Sequence, residues 1–518
     1  WFYAQDAETR GFLATFPTNT DLLTWSQSQR DAAFRAMDRL PILIRSRTVL
    51  PSGQAMPLPM GKPLDIPGLE AYLASQHSSG LIIIQDGKVR LERYGLGFGE
   101  TGRWTSFSVA KSFTSTLVGA AIEDGYIKSL DDKVTQYVPD LRGSAYEEVS
   151  IRQLLTMSSG VRWNEDYEDV NSDVSRFNDA KPDPGVDATV SYMRKLPRAH
   201  PPGEVWHYNT GETNLVGILI SSATGKTLSE YLQEKIWRPA GMEAKATWLL
   251  SKTGQQVAGC CIRASVRDFA RFGLFVLANG NVDGQQIVPA NWFANGTTKQ
   301  KDIGVDGMGY GYFWWTYDDG SVAAQGIFGQ GIFIDRARHL VIASNANWPR
   351  ADGGTQPEER EQFYRRVQAA IDAGATPSEA PSETALAKAS MTNVQRRDPR
   401  AVYAHDQNRF TIISVLKGAY TIPFMRGVTL RGRAKYIFDR DLRSRSGTTS
   451  TPDLYFNPAA DDYQGHLAWL RGAVDWPVND NLSVGAGNEF SIWYEKNRSG
   501  SIVGGKADFA DYTTFKNK

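Results

Sequence analysis

Ser108-Val109-Ala110-Lys111 sets a hydroxyl and an amine three residues apart. On a helix, positions i and i+3 share a face, so the amine reaches the hydroxyl. That is the nucleophile and proton-handling pair of one class of serine hydrolase. In a strand the two side chains point to opposite faces. The flanks decide between these cases. Thr114, Leu117, Val118, Ala121 and Ile122 continue at helical spacing to Gly125, which predicts a helix. The chain carries its own control in Ser414-Val415-Leu416-Lys417, inside the strand-like stretch 410–420. There the side chains diverge, and the match is read as coincidence. A bare Ser-x-x-Lys arises about once or twice in a chain this long, so context carries the claim.

A serine hydroxyl is a weak nucleophile until a base takes its proton. Lys111 can be that base only when neutral, which requires burial or a neighbouring cation or hydroxyl network. A second proton handler is needed for the leaving group. Tyr208 is the candidate, in Pro202-Gly203-Glu204-Val205-Trp206-His207-Tyr208-Asn209-Thr210, just ahead of a helical stretch 213–223. A phenol beside a lysine ammonium is expected to shift toward phenolate and serve as both base and acid.

Other signals fail. Gly225-Lys226-Thr227 resembles the end of a phosphate loop, but Ile220 stands where the first glycine is needed, so it reads as a helix-end turn. The six histidines show no metal spacing, so neither metal nor cofactor is expected. No Gly-x-Ser-x-Gly elbow accompanies a serine–histidine–aspartate set.

These groups must be held by ordinary elements. The chain has 518 residues, room for two or more domains. Lysine plus arginine and aspartate plus glutamate number 57 each, which gives no reason to expect nucleic acid as a partner. Fourteen tryptophans favour packed globular structure. Cys260 and Cys261 are adjacent and are expected as small buried residues without a bridge. No run of about 20 apolar residues marks a membrane helix. The absence of Met at position 1 fits a removed leader and export to the periplasm, while cysteine poverty fits cytoplasm as well.

Residues 1–65 read as an N-terminal extension, with helical spacing over 26–40 and a proline-rich lead-in over 51–67. A hairpin is expected over 81–85 and 88–94, turning at Asp86-Gly87. Strands follow at 309–315, 321–327, 331–335 and 340–345, then a helix at 358–373. Strands, helices, strands and a final helix give an α+β domain with an antiparallel sheet over 66–373. Residues 374–398 are rich in Ala, Ser, Thr and Pro and form a linker. From 399 to 518 alternating segments, with a turn at Trp476-Pro477-Val478-Asn479-Asp480-Asn481, predict a C-terminal antiparallel all-β meander, a small barrel or sandwich. The same alternation has a likeness to outer-membrane hairpins, so membrane contact through this region stays open, as does homo-oligomerisation.

Several stretches, in order, resemble the serine β-lactamase-related hydrolases, and within them the 6-aminohexanoate-dimer hydrolase branch. They are Trp104-Thr105-Ser106-Phe107-Ser108-Val109-Ala110-Lys111-Ser112, Ile151 to Gly160, Ile236 to Met242, Arg267 to Gly273, and Gly326 to Gly331. The resemblance implies a β-lactamase/transpeptidase-like fold, an acyl-enzyme at Ser108, deprotonation by Lys111, and Tyr208 in the Tyr-x-Asn tyrosine's role. Here Thr210 replaces the usual asparagine as a substrate contact. The family's cationic strand motif is matched by Ala324-Gln325-Gly326, which carries no cation. That argues against a dedicated β-lactamase or DD-peptidase. Gln325 and Gly326 would line the substrate site, and the backbone N–H groups of Ser108 and Ile327 would form the oxyanion hole. Tyr167, in the segment Arg162 to Asp169, matches a lid tyrosine that assists amide hydrolysis. The acidic residues Glu165, Asp166, Glu168, Asp169 and Asp173 either attract an amine-bearing substrate end or form a solvated loop. The resulting expectation is a serine hydrolase of esters or linear amides acting on a small-molecule or peptide substrate. The alternatives are a peptidase-like hydrolase of D-amino-acid or modified peptides, and a catalytically idle penicillin-recognising envelope or binding protein.

Overall fold

Alternation decides the architecture around Ser108. In the computed structural model, the described residues are 17, 22–39, 45–177, 180–374 and five strands between 409 and 517. The first strand of the main sheet, β1 (Ser78–Gln85), is buried along nearly its whole length. Ile82 and Ile84 enter one apolar cluster, and Leu81 and Ile83 enter another on the opposite face. That is the period of two expected of a strand covered on both sides. Strand β2 (Lys88–Tyr94) pairs with it through Asp86 (φ 51°) and Gly87 (φ 71°). Two consecutive left-handed residues are what a two-residue hairpin turn requires.

The remaining strands are β3 (Lys301–Asp302), β4 (Met308–Tyr310), β5 (Trp315–Tyr317), β6 (Val322–Gly326), β7 (Gln330–Asp335) and β8 (Leu340–Ala346). The antiparallel sheet runs β2-β1-β8-β7-β6-β5-β4-β3. The stretch expected as one strand over 309–315 is in fact two. Phe313, at φ 60°, folds the chain back between β4 and β5. On one face lie the helices that build the site: α1 (Ala110–Glu123), α2 (Thr210–Thr224) and α3 (Val266–Leu277). On the other lies α4 (Gln356–Asp372), where Phe363 stacks on Tyr72 at 3.8 Å and Tyr364 on Phe333 at 4.2 Å.

Helix α1 is buried from Ala110 through Ala121. A helix covered all round belongs at the centre of the domain. Gly225, at φ 69°, ends α2, and Thr227 caps the next helix by accepting from Glu230 N. The Gly-Lys-Thr triplet is therefore a helix-end turn, as its sequence indicated.

The N-terminal extension is more than a lead-in. Trp25, Phe34 and Met37 are buried in the main core. Arg30 fixes the segment, donating to Asn347 Oδ1, Trp25 O, Trp348 O and Pro349 O. Cys260 and Cys261 also depart from expectation. They are joined to each other, at a bend where Cys261 takes a left-handed φ of 71°.

Residues 381–518 cluster as a separate unit. Its described strands are Arg409–Thr421, Thr429–Asp441, Gln464–Pro477, Leu482–Lys496 and Ile502–Asn517. They pair in chain order as one antiparallel meander. Among the described residues no pairing closes it into a barrel and no second sheet makes it a sandwich. The proposed linker beyond residue 374 and the turn residues 478–481 lie outside the described residues.

Candidate active site

Ser108 sits in a 3-10 turn, Phe107–Val109, that leads into α1. Phe107 adopts a left-handed φ of 43°, which sets Ser108 at the helix entrance. One turn along, Lys111 is 1% exposed. Its Nζ lies 3.0 Å from each of three oxygens: Ser108 Oγ, Thr210 Oγ1 and the Gly259 carbonyl. Burial lowers the Lys111 pKa from 10.5 to about 8, against the pull of the Glu165 carboxylate, which raises it. A neutral amine that can accept the Ser108 proton is therefore well populated near pH 8.

The second side of the site comes from the start of α2. Asn209 caps that helix by accepting from Glu212 N at 3.1 Å. Its capping role explains the asparagine between Tyr208 and Thr210. Gly259 N donates to Asn214 Oδ1 at 2.9 Å, which orients the neighbouring carbonyl toward Lys111. A Cβ at Gly259 would come within 2.9 Å of Thr210, so the approach needs glycine.

Thr210 does not wait for a substrate amide. Its hydroxyl links Lys111 to Glu165, donating to Glu165 Oε1, while its backbone N–H donates to Glu165 Oε2 at 2.9 Å. Tyr167 OH donates to the same carboxylate at 2.7 Å, as does Trp163 Nε1. Glu165 thus turns inward. The other acids hold the loop: Asp166 accepts from the amides of Glu168 and Asp169, Asp173 from Asn164 N and Tyr192 OH, and Glu168 pairs with Arg350. A cluster reserved for an amine-bearing ligand is not what these contacts describe.

Tyr208 is brought to the site, but not as a phenolate. Lys111 Nζ faces its ring, 5.0 Å from the centroid, rather than its oxygen. Burial and then Glu165 push the phenol well above its ordinary pKa, with a hydrogen bond to Ser108 pulling the other way. The phenol keeps its proton, and its oxygen lies within hydrogen-bond reach of the Ser108 hydroxyl. Trp315, Tyr310 and Trp206 pack around its ring.

At the end of β6, Gly326 meets the Ser108 turn. A Cβ there would lie 3.0 Å from Ser108 N and 2.6 Å from Ser106 O. Only glycine permits this approach, which brings the next residue, Ile327, into the cavity beside Ser108. Gln325 faces the other way because strand residues alternate. It donates to Tyr317 OH at 2.8 Å and accepts from Arg360 at 2.7 Å, behind the sheet. Gln325 is therefore not among the groups that reach a substrate. His207 Nε2 bonds to Trp163 O at 2.8 Å, which ties the 162–169 loop to the segment that carries Tyr208. Among the described residues no cluster of three or more metal-ligating side chains occurs.

Comparison with known proteins identifies the family and the fold. The family model described as Beta-lactamase matches residues 69–364. A 6-aminohexanoate-dimer hydrolase of Paenarthrobacter ureafaciens is 29% identical over 303 residues, 55% of this chain and 77% of the relative. A D-aminopeptidase of Brucella anthropi is 30% identical over 198 residues, 35% of each chain. A solved structure of a candidate 6-aminohexanoate-dimer hydrolase from Bacillus anthracis superposes with TM-score 0.59 at 22% identity. It covers 68% of this chain and 96% of that one, a likeness of fold.

Proposed function

The chain belongs to the Beta-lactamase family of serine hydrolases, and from that premise we propose that it cleaves esters or linear amides through an acyl-enzyme on Ser108. One observation carries the reading: a buried Lys111, its pKa lowered to about 8, with Nζ 3.0 Å from Ser108 Oγ. In the proposed reaction neutral Lys111 takes the Ser108 proton as Oγ bonds to the scissile carbonyl carbon. The negative charge on the carbonyl oxygen falls between the backbone N–H groups of Ser108 and Ile327. The tetrahedral intermediate collapses as the Tyr208 phenol protonates the departing alkoxide or amine. Water then attacks the acyl-enzyme, one of its protons passing to the phenolate while its hydroxyl stays on the product acid, and Lys111 returns to the departing Ser108 oxygen the proton it took in the first step.

Thr210 and Glu165 serve as positioning groups that hold Lys111 toward Ser108. Where β6 meets the cavity it offers Gly326 and no cation, which favours substrates without an obligatory carboxylate beside the scissile bond. Hydrolysis of p-nitrophenyl acetate by the wild type and by Ser108→Ala tests the reading. Turnover is expected in the first and absent from the second. Equal turnover in both would remove Ser108 from the mechanism.

A further inference from the structure

Ser108 opens into a cavity of about 1200 Å³. Pockets that bury a drug-sized ligand run to about 1000 Å³, so the space extends well past a scissile carbonyl and a small leaving group. The lining mixes charged side chains, among them Arg45, Glu168, Arg176, Lys252 and Arg350, with a set of apolar ones. Leu22, Leu23 and Met37 come from the N-terminal segment, and Val174, Phe177 and Leu249 from the body of the domain. The family model begins at residue 69, so the first three lie outside the stretch it matches.

The N-terminal segment is packed against the Ser108 turn. Phe34 packs edge-on against Phe107, the residue before Ser108, with ring centroids 5.0 Å apart. It also lies 5.6 Å from Phe328, the residue after Ile327. Arg30, 4% exposed, has its guanidinium committed to four oxygens, so it anchors the wall and is not offered to a ligand carboxylate. Leu22 and Leu23 themselves are only partly buried and pack against the core from the cavity side. The side chains that the segment adds to this cavity, Leu22, Leu23 and Met37, are apolar, and such a surface favours taking hydrocarbon out of water.

We infer that the segment 22–37 is the specificity wall of this enzyme and selects substrates carrying an unbranched aliphatic chain on one side of the scissile bond. The inference rests on the Ser108 hydrolase reading and names its substrate class. Each methylene that enters the cavity raises kcat/KM by up to about fourfold, the value of burying one CH2 group.

The test is a chain-length series, p-nitrophenyl alkanoates from acetate to dodecanoate, with alkyl acetates of matched carbon number to place the chain on the alcohol side. The wild type should gain at least about tenfold in kcat/KM from two to eight carbons in one of the two series. Leu23→Glu should cut the octanoate-to-acetate ratio about tenfold, whereas Leu23→Met should keep it. The ratio is internal to each variant, so a loss of folded protein does not imitate the effect. Ser108-dependent turnover that stays flat or falls with chain length in both series overturns the inference and leaves the hydrolase reading standing. No Ser108-dependent turnover on any ester of either series overturns both.

Discussion

Two four-residue segments of this chain read alike, Ser108-Val109-Ala110-Lys111 and Ser414-Val415-Leu416-Lys417. The first lies at the entrance of a buried helix, and its amine and hydroxyl meet at 3.0 Å. The second lies within the strand Arg409–Thr421, where positions three apart fall on opposite faces. The difference teaches that the spacing is inert until a helix converts it into proximity. It becomes chemistry only when burial strips the lysine of its preference for charge.

The sharpest way to break this comparison is to remove each serine in turn. Ser108→Ala should lower ester kcat by a factor of about 10⁴ or more, and Ser414→Ala should leave it at the wild-type value. Removing the lysines repeats the contrast with a smaller effect. Lys111→Met should cost about 10²–10⁴-fold, the range for a lost general base, and Lys417→Met nothing. Loss of activity in Ser414→Ala or Lys417→Met would show that the strand copy serves catalysis.

The pH dependence sharpens the role of burial. Lys111 acts in its neutral form, so kcat/KM should rise with pH through a midpoint near 8 and fall about tenfold per unit on the acid side. A lysine at its ordinary pKa of 10.5 would move that limb beyond pH 10. Glu165→Gln removes a negative charge that favours the ammonium form, so the acid limb should move to lower pH. A limb that stays in place would show that the Glu165–Thr210 link positions Lys111 without tuning it.

The smallest effect concerns a buried carboxyl outside the reacting groups. Glu212 accepts from Tyr146 and Ser159, and burial raises its pKa from 4.5 to about 8. Its folded-state pKa lies above the unfolded value, so its contribution is fully present below pH 4.5 and is lost as pH rises through about 8. Glu212→Gln should therefore gain in Tm relative to the wild type as pH rises from 5 to 8. Parallel Tm profiles would show that the carboxyl ionises in place.

Much of this was legible in sequence because it is local. The helix after Ser108, the Asp86-Gly87 hairpin and the Gly225 helix end are each written in neighbouring residues. The rest depends on contacts far apart in the chain. Glu165 lies in an acidic loop and looks like its solvated neighbours, and only its contact with Thr210, 45 residues on, sets it apart. Tyr208 was expected to lean toward phenolate, but Lys111 meets its ring face, and burial with Glu165 holds the proton on. Motif position places Gln325 at the substrate, yet the phase of β6, fixed by Gly326 against the Ser108 turn, sends it behind the sheet. The N-terminal segment has no family motif, and its buried Trp25 and Phe34 signal packing without saying against what.

The most direct test of the account is to trap the intermediate. The protein is mixed with excess p-nitrophenyl ester, quenched in acid within the first turnovers, and analysed by intact mass and peptide mapping. The account predicts one acyl group per chain, carried by Ser108 and missing from Ser108→Ala. Turnover with no covalent species, or an acyl group mapped to any other residue, would contradict it.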